Sequence, residues 1–298
     1  MRLGPPFSVK KLRSPVQRSL CVLSVLLIAA VVAAPALGSA IIGRDVTDTT
    51  LSIDRQGRAH VSYRSGGVER YVVAWGAINA RAPSTAHAQV KFRLRYGLRG
   101  KGVCLPYDGP PLAWVVKACK APDGSYWALQ SWVRLKPNYG GTTGAKELHL
   151  SHWRGPLAVL TVYQNWAYKK YRHLFGRLTY DGVGVYGFRA TPGGNPLDSY
   201  GRNIYVDTYN SRYGKGWHRE NSFLTHHRGN TLGDFCYGFF PHFGHPPGKG
   251  VKYRATAEGP GVTPDVMWAA DDIGPYNASV QATQQALERS WGDPKCRN

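Results

Sequence analysis

Apolar residues recur at every second position through much of this chain. Between residues 50 and 75, Leu51 and Ile53 alternate with polar neighbours, then Ala59, Val61 and Tyr63, and then comes the run Tyr71–Trp75. Arg55-Gln-Gly57 and Ser65-Gly66-Gly67 separate these runs, so the segment predicts a three-strand antiparallel meander. Residues 90–96 alternate without a fault: Val90, Phe92, Leu94 and Tyr96 on one face, Lys91, Arg93 and Arg95 on the other. That pattern predicts a half-buried strand whose outer face is a basic stripe, extended by Arg99 and Lys101. Leu112–Val116 suits a short helix or a strand, and Ser125–Arg134 predicts a strand with aromatics on both faces.

The stretch Glu147–Phe188 is the organising segment of the chain. Leu157–Tyr163 is rich in β-branched residues and too short for a typical helix, which predicts a strand buried on both faces. Asp181-Gly182, between Leu174–Tyr180 and Val183–Phe188, predicts a hairpin, because a type I′ turn needs positive φ at both central residues. Further strands are predicted over Asn203–Tyr209, Phe235–Phe240 and the alternation Val251, Tyr253, Ala255, Ala257, which Gly259-Pro-Gly261 ends. Residues 210–234 form a polar, His-rich segment with little periodicity. One helix is predicted near the end, capped by Asn277, with Val280, Thr283, Leu287 and Trp291 on one stripe and Gly292 and Pro294 as the stop. The fold class that results is mainly β: an antiparallel β-sandwich-like domain with long loops and one short C-terminal helix. It spans 41–298 as a single domain, with a split into two subdomains near residue 105 as the alternative.

The first 40 residues break this pattern. Arg2, Lys10, Lys11, Arg13 and Arg18 precede an apolar run, Leu20–Ala34, and then Pro35 and the small-residue stretch Ala36–Ala40. This is the layout of a signal peptide over residues 1–40, with Gly38 and Ala40 suiting signal peptidase and cleavage expected after Ala40. The alternative is an uncleaved anchor, the one route by which the chain would stay attached to a membrane. Removal leaves Cys104, Cys119, Cys236 and Cys296, an even count that suggests two disulfides in an exported chain. Three pairings are open; Cys104–Cys119 and Cys236–Cys296 are the favoured pairs.

Net charge is +20, and +15 without the first 40 residues. Such a surface attracts anionic polymers. With 18 Tyr and 9 Trp, the chain also needs a large core or an aromatic binding surface. Cations and aromatics interleave in two segments, one holding Trp166, Tyr171 and Arg172, the other Tyr209, Arg212, Tyr213 and Trp217. Aromatic faces stack on sugars or bases while cations hold phosphate or carboxylate. The candidate ligand-binding residues are Trp166, Arg172, Tyr205, Tyr209, Tyr213 and Trp217. For an exported protein the partner is a cell-wall or other anionic polysaccharide, not nucleic acid.

Pro122–Trp132, Ser151-His-Trp153, Tyr200–Asn203, Phe235–Phe240 and Gly259–Asp265 resemble stretches of uncharacterised exported proteins of actinobacterial-type bacteria. The likeness covers most of the chain after the signal. It implies export and a bacterial source and brings no activity, fold or site.

Candidate acid/base groups are Glu147, Asp207 and Glu220, each beside aromatics or histidine. Asp207 stands out, between Tyr205 and Tyr209 on one strand face. Glu147, His149 and His152 do not form a metal-ligand motif: in a strand Glu147 and His149 share a face and His152 points away. No metal and no cofactor are expected. There is no G-x-S-x-G elbow, P-loop or dinucleotide fingerprint. The leading expectation is a non-enzymatic exported binder of an anionic or carbohydrate envelope polymer, and the alternative is a cell-wall glycan or peptide hydrolase using Glu or Asp with His, with or without a metal.

Overall fold

The computed structural model describes residues 39–77, 92–133, 145–167, 169, 171–185, 189–190, 196–197, 205–211, 217–221, 233–239, 252–271 and 274–291. In chain order the strands are β1 (Ala40–Arg44), β2 (Thr47–Ile53), β3 (Ala59–Ser65), β4 (Val68–Gly76), β5 (Phe92–Tyr96) and β6 (Val115–Lys120). Next come β7 (Tyr126–Val133), β8 (Lys146–Trp153), β9 (Val159–Ala167), β10 (Tyr171–Tyr180), β11 (Val183–Gly184), β12 (Arg189–Ala190) and β13 (Pro196–Leu197). Last are β14 (Tyr205–Ser211), β15 (Trp217–Asn221), β16 (Gly233–Phe239), β17 (Lys252–Glu258), β18 (Val266–Asp271) and the helix α1 (Ala278–Trp291). For β12 to β16 the description is of the backbone.

The class expected from the pattern is what the chain forms: antiparallel sheets and one C-terminal helix. The meander β2-β3-β4-β5 is the first sheet, and β1-β8-β7-β6 is the second. Their facing residues share one core: Leu51, Ile53, Val61 and Val72 from the first, Ile42, Trp127, Leu148 and Leu150 from the second, with Phe92 and Leu94 packed at the edge. Phe92 and Leu94 face inward, so alternation turns Arg93 and Arg95 outward, as the sequence expects. The Cys104–Cys119 disulfide forms beside this core. A second pair of sheets meets through Leu178, Tyr180 and Val185 on one side and Ala257 and Val266 on the other. The first of these pairs β10 with β9, β11 and β16; the other runs β15-β14-β17-β18.

Several local expectations hold in detail. Asp181 (φ 52°) and Gly182 (φ 74°) form the turn between β10 and β11, with Tyr180 opposite Val183. Asn277 caps α1, its Oδ1 accepting from Ser279 N at 3.0 Å and Val280 N at 3.1 Å.

Other expectations are corrected. The doubly buried strand is β8, whose residues Glu147–Trp153 are all buried, and not Leu157–Tyr163. In β9, Val159 is 57% exposed and Thr161 is exposed as well. The reason is topology: among the described pairings β9 bonds to β10 alone. The buried side of α1 carries Gln281, not Val280 and Thr283, which are exposed. Gln281 Oε1 accepts from Trp166 N at 2.7 Å, which ties that side of the helix to β9. Residues 210–234 contain β15 and the start of β16, and β18 comes after the Gly-Pro-Gly break. Residues 1–38 and Cys296 lie outside the described residues, and no side chain is described for Cys236. Among the described residues no helix is long and apolar enough to cross a membrane.

Candidate functional site

Two regions concentrate chemistry, one exposed and one sealed. The exposed region is the outer face of the meander. Cross-strand register places Ser52, His60, Val73 and Arg95 in one row and Thr50, Ser62 and Tyr71 in the next. Residues 97–103 fold back over this face. The result is a groove of about 360 Å³ lined by Thr50, Ser62, His60, Tyr71, Arg99 and Lys101 among others.

The groove is built on Asp54. Its carboxylate accepts from Gln56 N and Arg58 N, both at 2.9 Å, and from Arg58 Nε at 2.7 Å. It also holds His60 Nε2 at 2.9 Å. Burial alone would raise the Asp54 pKa; the hydrogen bonds from His60 and Arg58 outweigh it and bring it down to about 2. His60, whose side chain is 10% exposed, is thereby fixed as one of the residues lining the groove. Nδ1 of His60 makes no hydrogen bond and lies directly beneath Gly100, where an added Cβ would come within 1.8 Å of it. Arg99 crosses the groove, its guanidinium 4.5 Å above the Tyr71 ring and 3.0 Å from Glu69 Oε2. Arg93, Arg95 and Lys101 make no ion pair with a described residue, and all three are exposed.

The sealed region lies on the opposite sheet, on the face of β7 and β8 turned away from the shared core. Alternation puts Glu147, His149 and Ser151 on this face, beside Trp132, Gln130 and Ala128 of β7. As a bare pattern this is a polar face, yet β17 and the turn after it cover it. His152 N donates to Val262 O at 3.0 Å, and Gln130 clasps the Asp265 backbone, Oε1 accepting from N and Nε2 donating to O, both at 2.9 Å. Arg254 lies over the Trp114 and Trp132 rings, at 5.3 and 5.8 Å.

His149 is the centre of this cluster. Ser39 donates its hydroxyl to Asp265 Oδ1, and Trp132 Nε1 donates to Asp265 Oδ2 at 2.8 Å. Nδ1 of His149 faces Ser39 Oγ at 2.8 Å and Asp265 Oδ2 at 3.1 Å. Because the Ser39 proton goes to Asp265, Nδ1 must carry the ring proton and donate. Nε2 faces Glu147 Oε2 at 3.4 Å, and Arg44 Nε donates to the other Glu147 oxygen at 3.0 Å. Burial alone would lower the His149 pKa; the carboxylates of Asp265, Glu147 and Glu258 reverse this and raise it.

His152 points to the other side, as strand geometry requires. It stacks on Trp127 with ring centroids 3.7 Å apart, donates from Nδ1 to Gly76 O at 2.8 Å, and has Nε2 2.9 Å from Ser125 Oγ. Burial pushes its pKa down to about 4, so it is a neutral packing group.

The residues singled out from sequence end in different environments. Glu147 is 5% exposed and held by Arg44 and His149, which closes it to a polymer chain. Trp166 is 2% exposed and packs edge-on against Tyr276, so its face is closed to a stacking ligand. Asp207 stands opposite Asn221, and Glu220 opposite Thr208. Tyr205, Tyr209 and Trp217 lie in β14 and β15 and Arg172 in β10, with no side-chain description; Tyr213 lies outside the described residues. Sequence reasoning found the basic stripe and the Glu147–His149 pair. It missed Ser39, Glu258 and Asp265, for which no local pattern gives a signal. No family model, curated protein or solved structure matches this chain.

Proposed function

We propose that this is an exported, non-enzymatic protein that binds an anionic polysaccharide of the cell envelope. The supporting observation is the outer face of β2–β5, where Arg99 and Lys101 line one groove and Arg93 and Arg95 are exposed on the neighbouring edge strand. Repeated anionic groups on a polymer would meet these cations in succession, and the hydroxyls of Thr50 and Ser62, 2.8 Å apart, add neutral polar contacts. The Cys104–Cys119 disulfide accords with an oxidising compartment. The binding surface is then the meander face rather than the segment around Trp166.

The test mixes the purified chain with cell-wall sacculi and tracks pelleted protein and turbidity together, at low and high salt. Pelleting without clearing, lost at high salt and abolished in an Arg93→Glu/Arg95→Glu variant, is the expected result. Clearing of the sacculi would make the protein a hydrolase. Equal pelleting of the charge-reversed variant would move the surface elsewhere, and protein left in the supernatant would remove the wall as its partner.

A further inference from the structure

We propose that Glu147, His149 and Glu258 form a buried site for one divalent transition cation, zinc in the first instance. Each side chain offers one donor atom, these atoms lie within 4.8 Å of one another, and all three residues are buried. Carboxylates often cluster without an ion, so the histidine decides the case.

Ser39 and Asp265 occupy Nδ1 of His149 and fix its proton there. Nε2 is therefore the nitrogen left to face the carboxylates. It is fully buried and makes no hydrogen bond; Glu147 Oε2 is 3.4 Å away. A charge-assisted N–H···O bond would close to about 2.7–2.9 Å. A separation of 3.4 Å instead fits two ligands of one tetrahedral ion, because bonds of about 2.0–2.1 Å place ligand atoms roughly 3.3 Å apart. Arg44 donates to Glu147 Oε1, and Oε2 is the oxygen that faces His149.

Asp265 supports the site from behind the ring. A ligating histidine commonly gives its other N–H to a carboxylate, which sets the tautomer and raises the basicity of the bound nitrogen. Imidazole with carboxylates suits zinc and its first-row neighbours rather than a soft thiolate-seeking ion. The position is sealed, so the ion's role is structural: it would join β8 to the end of β17 across two sheets, and it would enter during folding.

The test needs no enzymatic activity. The full chain, made without a histidine tag, is unfolded, stripped with chelator, refolded with or without Zn²⁺, dialysed and measured for metal. We expect about one retained equivalent per chain and a higher melting temperature in the zinc-refolded sample. Refolding with Co²⁺ should give the visible absorption of a tetrahedral site. Glu258→Gln should lose both the retained metal and the cobalt spectrum, and Asp265→Asn should weaken binding about 10–100-fold. A folded wild-type chain that retains no zinc and melts at the same temperature either way overturns the proposal; the cluster is then an ion pair of protonated His149. Undiminished metal in Glu258→Gln also overturns it, and in that case the zinc sits on other histidines.

Discussion

Nδ1 of His149 lies 3.1 Å from Asp265 Oδ2, with both side chains fully buried, although one residue is in β8 and the other just precedes β18. Asp265 also receives the Ser39 hydroxyl and the Trp132 indole N–H. It therefore anchors three donors from three separate parts of the chain.

Removing that acceptor strands all three. Asp265→Ala is expected to lower unfolding free energy by about 3–5 kcal/mol, the cost of leaving a buried pair half made. Urea titration measures it. In a double-mutant cycle with His149→Gln the two losses should fall short of additive by about 0.5–3 kcal/mol, because both remove the same contact. Additive losses would mean that the two residues act independently.

His152 makes stability depend on pH. Its folded pKa is held down at about 4 by burial, against 6.5 ordinarily. Between these values the unfolded chain takes up a proton that the folded one refuses, so stability rises with pH across this window. Acidification from above pH 6.5 to pH 4 should therefore cost on the order of 3 kcal/mol from this group. His152→Gln should flatten that part of the stability profile. An unchanged slope would assign it to another group.

Gly100 sits where a side chain cannot. An added Cβ would fall 1.8 Å from His60 Nδ1, and the Asp54 bond keeps that ring from moving aside. Gly100→Ala is expected to displace the segment over the groove, cost about 1–3 kcal/mol, and weaken binding to sacculi. Binding and stability equal to wild type would show that the segment adjusts freely.

The disulfide closes a short loop at the edge of the first core, with a sequence separation of 15. Loop-closure entropy predicts that Cys104→Ala/Cys119→Ala lowers stability by about 3 kcal/mol. Reduction of the wild-type protein should produce the same fall, measured by denaturant titration.

Cleavage of an export signal after Ala40 would strip Ser39 from His149 and Asp265 and remove the first residue of β1. Ala34-Pro35-Ala36 offers the same small-residue spacing upstream. If the chain is exported by cleavage of this signal, N-terminal sequencing should read Leu37. A folded protein beginning at Ile41 would mean that the network closes without Ser39.

What the sequence by itself determined is local. Alternation located the meander strands β2, β3 and β4 and the outward Arg93 and Arg95. Asp181-Gly182 specified its turn, Asn277 its cap, and Cys104 found the partner nearest in sequence. Apart from the disulfide, which spans 15 residues, each of these depends on neighbours within a few residues, where sterics and solvent exposure act through a fixed period. Glu147 and His149 were legible as sharing a strand face for the same reason.

Only the tertiary structure decided what that face meets. Glu147, His149 and Ser151 carry the polar half of an alternating pattern, which taken alone means solvent. They are buried because β17 and the turn carrying Val262, Thr263 and Asp265 cross over them from far along the chain. The same long-range packing buried Trp166 under α1 and exposed Val159 at a sheet edge. Burial depends on which surfaces cover one another, and no period within a strand encodes that.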